Sequence, residues 1–261
     1  MALGFEVDHG VAVITLDRPE VLNAFDDELG AAALDAVSRA AEDDGVRCIV
    51  ITGAGRAFCA GEDLGALAAG YRRGEAPKLG RILAERYNPL IRAIRAAPKP
   101  VVGALNGVAA GAGASLALAC DFRIASERAK IVIAFVKVGL VPDSGAVWFL
   151  AKIVGAAKAW ELSAGGDPMD AAEALRLGLV GRVVPVDDFE DAWRSLAASL
   201  AQGPTRAYAL TKSLVDSASH CSLDDQLDLE IEAQSEAGAT ADHVEGVQAF
   251  LAKRPPRFTG S

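Results

Sequence analysis

The sequence predicts an α/β fold, with strands and helices alternating over the first two-thirds of the chain and helices alone after that. Short uncharged runs rich in Val, Ile and Ala alternate with segments that carry apolar residues at helical spacing. Residues 189–252 show helical spacing throughout, with breaks at Pro204 and at 218–223. A strand, a Gly-rich loop and a helix also follow one another twice, at 49–67 and 101–120. These observations indicate two similar units lying side by side, followed by a helical part.

The composition of the 261 residues excludes several classes of function. The formal net charge of −9, with no basic block, argues against nucleic acid as a partner. Residues 1–10 lack the apolar run of a signal peptide, and no apolar run is long enough to span a membrane. Four cysteines have neither disulfide-framework nor zinc-site spacing: Cys48, Cys59, Cys120 and Cys221. We therefore expect a cytoplasmic protein with reduced thiols and no metal.

The spacing of apolar residues predicts the individual strands and helices. Strands are predicted at residues 5–7, 11–16, 48–52, 101–105, 122–125, 130–135 and 179–184. Helices are predicted at 26–42, 79–96, 114–120, 147–154, 158–163 and 169–177. The first two strands form a hairpin that turns at His9-Gly10. Residues 53–61 are expected to form a Gly-rich loop that leads into a helix after Leu64, and residues 69–77 another loop.

The central stretch, residues 101–121, carries the first sign of chemistry. Gly111-Ala112-Gly113 lies between a buried strand and a buried helix. A Gly-rich turn at a helix start directs free backbone N–H groups toward one point, which suits an anion or a developing oxyanion. Close packing of backbones through small residues is the alternative interpretation. The second Gly-rich loop, at 53–61, favours the oxyanion site, since two loops could bring two N–H donors to one oxygen.

At this point the sequence resembles the crotonase family, the enoyl-CoA hydratase/isomerase superfamily, over residues 11–258. Five motifs carry the resemblance: LDRPEVLNAF (16–25), GRAFCAGEDL (55–64), PKPVVGALNGVAAGAGASLALACDFRIAS (98–126), GLVPDSGAVWFL (139–150) and AAEALRLGLVGRVVP (171–185). It implies a crotonase-type spiral of ββα units at 1–188 and a C-terminal helical trimerisation region at 189–261. It also implies acyl-CoA thioester substrates, and homotrimers that commonly pair into hexamers.

The resemblance assigns roles to particular residues. It puts the two oxyanion-hole donors on the backbone N–H groups of Glu62 and Ala112, although the second position is usually Gly in the family. Contacts with substrate or CoA are expected at Leu22, Ala24, Ala60, Asp63, Leu64, Ser115, Phe135, Phe250 and Lys253. Phe250 and Lys253 correspond to positions that reach the CoA of a neighbouring subunit. The alternatives are packing at a trimer interface for Phe250 and a favourable helix-dipole contact for Lys253.

The sequence departs from the pattern of typical hydratases of this family at the two positions of the catalytic acid and base. Typical hydratases of the family use two glutamates, and here those positions are Ser115 and Phe135. Water addition through paired glutamates is therefore not expected. Asp143, in the form GLVPDSG, resembles a branch of ring-epoxide and Δ3,Δ2-enoyl-CoA isomerases that use this Asp as their single acid/base. One carboxylate suits an isomerisation, because it can take a proton from one carbon and return it to another.

Several candidate residues keep an alternative interpretation. An apolar pocket would raise the pKa of Asp143 toward the working range, yet Asp143 could instead cap the helix that follows. The side chain of Glu62 is a second candidate carboxylate that could also point away from the pocket or gate it. Asp63 is expected to cap the next helix, and Asp121 to bond backbone near the sheet. Cys59 and Cys120 are expected to be buried, inert thiols.

Three functional hypotheses follow. The first is a CoA-thioester isomerase that shifts a double bond or rearranges a ring through an enolate, with Asp143 moving the proton. The second is a hydratase, lyase or hydrolase of the same family with a non-standard acid/base. The third is an acyl-CoA-binding paralogue without chemistry. None of them requires a metal or a redox cofactor, because coenzyme A is part of the substrate.

Overall fold

The computed structural model describes residues 2–75 and 77–261. Within these ranges the strands form two sheets, one with the order β1-β2-β3-β5-β7-β10 and one with the order β4-β6-β8-β9. The strands are β1 Leu3–Asp8, β2 Val11–Leu16, β3 Cys48–Gly53, β4 Ala57–Cys59, β5 Val101–Leu105, β6 Val108–Ala110, β7 Phe122–Ser126, β8 Lys130–Val132, β9 Met169–Asp170 and β10 Arg182–Val184. The larger sheet is parallel except for the β1/β2 hairpin, which turns at His9 and Gly10 as predicted.

Eleven α-helices lie within the described residues. They are α1 Asp27–Glu42, α2 Leu64–Arg72, α3 Leu79–Ile82, α4 Asn88–Ala96, α5 Ala112–Ala119, α6 Ala146–Gly165, α7 Ala171–Arg176, α8 Phe189–Ala201, α9 Thr205–Ser217, α10 Leu223–Gly238 and α11 Ala241–Leu251. A π-helical turn, Leu83–Tyr87, joins α3 to α4, so the predicted helix at 79–96 is one continuous helical rod. Gly155 interrupts α6 with non-helical dihedral angles, as the two predicted helices there suggest.

The chain repeats one unit along its length. A strand of the large sheet, a strand of the small sheet and a helix follow each other as β3-β4-α2 and as β5-β6-α5, and β7 and β8 begin a third such unit. The strands of the large sheet pair in parallel, for example Ile49 with Val101, so successive units stack side by side. This arrangement confirms the predicted ββα spiral. It also places the loops that follow β4 and β6 next to each other, because those two strands pair.

Burial on both faces explains why β3 and β5 lack the alternating pattern of a half-exposed strand. Every residue of β3 and of β5 is buried. One face packs into the main core with α1 and α4. On the other face, Trp193 and Leu200 of α8 belong to a second cluster with Val50 and Val102. The helical part predicted at 189–261 therefore begins with a helix that covers the sheet.

The structure corrects several expectations about elements, among them the strand predicted at 179–184, which begins only at Arg182. The loop predicted at 53–61 contains β4, and the segment between β5 and α5 contains β6; three-residue strands are too short for periodicity to show. The strand predicted at 130–135 ends at Val132, and a 3-10 helix spans Ala134–Val138. Helix α2 continues to Arg72, into the predicted loop, whose residue 76 lies outside the described residues. The helix predicted at 169–177 starts only at Ala171, because Met169–Asp170 pair with β8.

Candidate active site

An apolar cavity of about 240 Å³ lies where the two Gly-rich loops meet α2, α3 and the π-helical turn. Its polar side chains are Glu62, Tyr71, Tyr87 and Asp143. The other lining residues are apolar or contribute backbone, namely Ala60, Leu64, Leu79, Ile82, Leu83, Gly111, Ala112, Ala134, Phe135, Val138, Leu140 and Val141. A largely apolar pocket with a few polar groups is the usual form of a small-molecule site.

The two Gly-rich loops touch at Gly61. Its φ of +94° and the space around it both require glycine, because a Cβ there would lie 2.8 Å from the Ala110 carbonyl oxygen and 3.2 Å from the Ala112 nitrogen. The next residue, Glu62, lines the cavity together with Ala112. Ala112 is the first residue of α5, so its N–H has no acceptor within the helix. The two residues whose backbone N–H groups the sequence predicts as donors thus line one cavity.

Hydrogen bonds fix the first loop against the segment after β2. The Ala60 N–H donates to the Leu22 carbonyl (2.9 Å), and the Phe25 N–H donates to the Gly61 carbonyl (2.7 Å). Asn23, fully buried and in the left-handed region, donates from its amide to the carbonyls of Ala57 (2.8 Å) and Phe58 (3.2 Å). The motif at 16–25 therefore shapes the loop from behind.

Asp143 lines the same cavity, in the loop before α6. Its carboxylate accepts a hydrogen bond from the Ser144 hydroxyl (2.7 Å), and its backbone carbonyl accepts from the Ser115 hydroxyl and the Ala146 N–H, both at 2.9 Å. The N-cap of α6 is Gly145, with no side-chain cap. The alternative interpretation of Asp143 as a helix cap is therefore wrong.

Burial raises the pKa of the Asp143 carboxyl. The hydrogen bond from Ser144 opposes this shift, and the charge of Glu62 adds to it. A carboxyl with a raised pKa exchanges protons more readily near neutral pH than an ordinary aspartate does.

The Glu62 carboxylate is bound by two residues that sequence reasoning did not identify. Arg86 donates from Nη1 to both oxygens, at 2.9 and 2.8 Å, and the Tyr87 hydroxyl donates to Oε2 at 2.6 Å. Both partners lie on the π-helical turn, more than 20 residues from Glu62 in sequence. No local pattern could indicate this pairing, because it depends on how the helix docks against the loop.

The other predicted contact residues fall into three groups. Ala60, Leu64 and Phe135 line the cavity. Leu22, Ala24 and Asp63 lie behind it, where Arg18 donates to the Ala24 carbonyl (2.7 Å) and to the Asp63 carboxylate (3.0 Å). Asp63 also caps α2 through the Ala66 N–H (3.0 Å), as predicted. Phe250 and Lys253 lie at the end of the last helix, and Phe250 is 82% exposed.

Ser115 is placed differently from the expectation that it contacts substrate. It is fully buried and absent from the cavity wall, and its hydroxyl donates to the Asp143 carbonyl. A buried hydroxyl on a backbone carbonyl stabilises the loop that carries Asp143.

Outside the cavity, two predictions about supporting residues are confirmed. Asp121 accepts from the Val101 N–H (2.9 Å) and pairs with Arg95 and Lys212. Burial raises the pKa of Cys59 and of Cys120 to about 12, so both thiols are inert at neutral pH. In residues 2–75 and 77–261, no His, Cys, Asp and Glu side chains form a metal-binding cluster. None of the helices described is both long and apolar enough to cross a membrane.

Residues 6–261 match the family model described as enoyl-CoA hydratase/isomerase. The chain belongs to the enoyl-CoA hydratase/isomerase family. It is 46% identical to the 1,2-epoxyphenylacetyl-CoA isomerase of Escherichia coli, over 97% of each chain. It is 47% identical to a protein of Rhodobacter capsulatus named as a probable enoyl-CoA hydratase, over 98% of this chain and 97% of the other.

Solved structures agree with this enoyl-CoA hydratase/isomerase assignment. A Mycobacterium abscessus protein described as an enoyl-CoA hydratase/isomerase superposes with a TM-score of 0.95 at 41% identity, covering all of both chains. An enoyl-CoA hydratase of Bacillus anthracis gives a TM-score of 0.92 at 31% identity, again over the whole of both chains. The fold predicted from the motifs, a crotonase-type spiral, is confirmed.

Proposed function

We propose that this protein isomerises acyl-CoA thioesters, by a double-bond shift or a ring rearrangement, with Asp143 as its single acid/base. One observation carries the proposal. Asp143 is the carboxylate of the cavity without a cationic partner among the described residues, whereas Glu62 is bound by Arg86. The Escherichia coli relative is named as an isomerase of an acyl-CoA, and a Streptococcus mutans relative with 36% identity as a trans-2-decenoyl-[acyl-carrier-protein] isomerase.

The proposed reaction begins with the thioester carbonyl between the N–H groups of Glu62 and Ala112. Asp143 removes a proton from the acyl group, and negative charge moves to the carbonyl oxygen as an enolate forms. Two backbone donors that bind this oxygen stabilise the enolate, and loss of one such donor typically costs about 3 kcal/mol. Asp143 then returns the proton to a different carbon, so no metal or redox cofactor is consumed or required.

The cavity has room for an acyl group of moderate size. A cavity of about 150 Å³ already holds benzene, and this one measures about 240 Å³. We therefore expect a substituted ring or a medium-length chain. Leu79, Ile82 and Leu83 would contact its apolar part, since they form the wall on the side of the helical rod.

A hydratase with a non-standard acid/base is the second candidate. The observation that favours it is a second carboxylate, that of Glu62, on the cavity wall. In that reaction Glu62 or Asp143 would activate water for addition to a 2-enoyl-CoA. An acyl-CoA-binding protein without turnover is the third.

One experiment separates the three. The purified protein is offered a 3-enoyl-CoA and, separately, a 2-enoyl-CoA, and absorbance of the conjugated thioester is followed. Conversion of the 3-enoyl-CoA that is lost in Asp143→Asn supports the isomerase. Loss of the 2-enoyl absorbance through gain of water identifies a hydratase. Binding of both thioesters and of a ring-epoxide acyl-CoA, without turnover of any of them, identifies a binding protein.

Assembly as a homotrimer, or as a hexamer of two trimers, is part of the proposal. The last two helices expose several large apolar side chains, as expected for a face that a second copy covers: Leu223, Leu227, Ile231, Val244, Phe250 and Leu251. Phe250 and Lys253 would then lie near the CoA of the neighbouring subunit. Light scattering on the purified protein measures the oligomer mass directly.

A further inference from the structure

Glu62 occupies an unusual position for a carboxylate. Its backbone N–H is one of the two proposed oxyanion donors, and its side chain carries a negative charge in the same apolar cavity. A free negative charge beside a developing enolate would oppose the reaction, because like charges in a low-dielectric site repel strongly. Something in the structure must therefore hold this charge and compensate it.

Arg86 meets both requirements. Its side chain is only 9% exposed, and it binds the Glu62 carboxylate through Nη1 and Asp27 through Nη2. Its Nε is buried without an acceptor among the described residues, and the side-chain hydrogen bonds that the guanidinium donates go to these two carboxylates. Tyr87 adds a neutral donor to Glu62.

The path of the Arg86 side chain is built into α1. A Cβ on Gly30 would lie 2.4 Å from Cγ and 2.6 Å from Cδ of Arg86. Gly30 does not line the active-site cavity. The arginine can reach Glu62 along this route only because α1 has no side chain at that position.

The backbone of Glu62 is held independently on its other side. It forms an isolated bridge with Phe25, and the Asp63 N–H donates to the Phe25 carbonyl at 2.9 Å. The Phe25 ring also packs on Tyr87, with 5.7 Å between ring centroids. Residue 62 is thus fixed through its backbone by Phe25 and through its carboxylate by Arg86 and Tyr87.

We propose that Arg86 is a positioning residue, which holds the Glu62 carboxylate so that residue 62 presents its N–H while the effect of its negative charge on the enolate and on Asp143 is reduced. This inference rests on the proposed isomerase function. The titratable side chains that face Asp143 are Glu62 before α2, Tyr71 on α2 and Tyr87 on the π-helical turn, and Ser144 is its hydrogen-bond partner. Of these, Glu62 is the one whose charge Arg86 controls.

The test measures kcat and KM against pH for Arg86→Gln, Glu62→Gln and the double variant. Arg86→Gln leaves Glu62 unpaired, so kcat/KM should fall about tenfold or more and its acidic limb should move to higher pH. Glu62→Gln should move the same limb to lower pH. The double variant should recover to within about threefold of Glu62→Gln, because no unpaired negative charge remains.

Two further variants keep the test decisive if Arg86→Gln folds poorly. Gly30→Ala, outside the cavity, should displace Arg86 and move the acidic limb in the same direction as Arg86→Gln. Arg81→Gln is the matched control, since Arg81 pairs with Glu85 on the exposed side of the same rod and should leave the profile unchanged.

The outcomes separate this inference from the proposed function. If the wild type isomerises neither a 3-enoyl-CoA nor a ring-epoxide acyl-CoA, the proposed function is wrong and the inference fails with it. If the wild type is active and Asp143→Asn is not, but Gly30→Ala and the folded Arg86 variants keep the wild-type pH profile without rescue in the double variant, Arg86 has only a structural role. Opposite limb shifts with rescue support the positioning role.

Discussion

Replacement of Ser115 by alanine should weaken the loop that carries Asp143 and slow the reaction. The Ser115 hydroxyl is fully buried and donates 2.9 Å to the Asp143 carbonyl, with a weaker 3.4 Å contact to the Gly111 carbonyl. A hydrogen bond of this kind contributes about 0.5–1.5 kcal/mol to stability. The Asp143 carbonyl keeps the Ala146 N–H as a second donor. We therefore expect a loss at the lower end, about 0.5–1 kcal/mol, and a Tm lower by about 2 °C.

The kinetic consequence of Ser115→Ala is larger than its effect on stability. Misplacement of a reacting group by about 1 Å can cost about 10²-fold in rate. With the Ala146 contact retained, we expect kcat to fall about tenfold at every pH, with KM little changed. Urea unfolding and steady-state kinetics measure the two effects on one protein sample.

Ser144→Ala is the matched control for this prediction. Its hydroxyl bonds the Asp143 carboxylate, at 2.7 Å, and lowers the pKa of that group. Loss of this hydroxyl should move the acidic limb of the kcat/KM profile to higher pH, and should not lower kcat by the same factor at every pH. Wild-type stability and wild-type kcat in Ser115→Ala would refute the idea that this hydroxyl holds Asp143.

Three further predictions concern the same fold. Asp143→Asn should abolish isomerisation and yet stabilise the protein. Because the pKa of Asp143 is raised in the folded state, its stabilising contribution is present below the ordinary Asp pKa and is lost as pH rises through the raised value. The difference in unfolding free energy between Asn and Asp, measured with urea, should therefore grow from about pH 4 to about pH 8, and a difference independent of pH would contradict this. Gly61→Ala places a Cβ 2.8 Å from the Ala110 carbonyl oxygen and should lower kcat by about 10²–10³-fold. Gly155→Ala is the control, because Gly155 has a similar positive φ but open space around it and no contact with the cavity. It should lower stability alone. In the native protein a thiol reagent should modify Cys221, whereas Cys48, Cys59 and Cys120 should react only after denaturation. These three thiols are buried, and burial raises the pKa of each to about 12. Rapid reaction of all four thiols would contradict the burial of these three.

The main elements of the fold could be predicted from sequence because their patterns are long. Helix α1 begins at Asp27 with Asp26 as its N-cap, one residue from the predicted start. Strands β4 and β6 have three residues each, too few for a period of two to be distinguished from loop, whereas β8 was predicted with three residues too many. The pairing of β4 with β6 brings the two Gly-rich loops together, so the geometry of the site depends on two strands that the sequence pattern did not predict.

The site itself was partly predictable. The residues that motifs identify, Glu62, Ala112 and Asp143, lie on one cavity. The contacts that hold these residues in place could not be predicted. Ser115 is 28 residues from Asp143, whose carbonyl it bonds, and Arg86 is 24 residues from Glu62. Such contacts arise from the docking of elements and leave no mark at a fixed spacing in the sequence.

The most direct measurement of the central claim follows the transferred proton. Wild-type protein and Asp143→Asn are incubated with a 3-enoyl-CoA in deuterated buffer, and the product is analysed by mass spectrometry. Transfer by one buried carboxylate predicts a 2-enoyl-CoA with less than one deuterium per molecule, because Asp143 returns part of the abstracted proton, and no product from Asp143→Asn. A product that has gained the mass of water, or equal turnover by Asp143→Asn, would contradict a single-carboxylate isomerase.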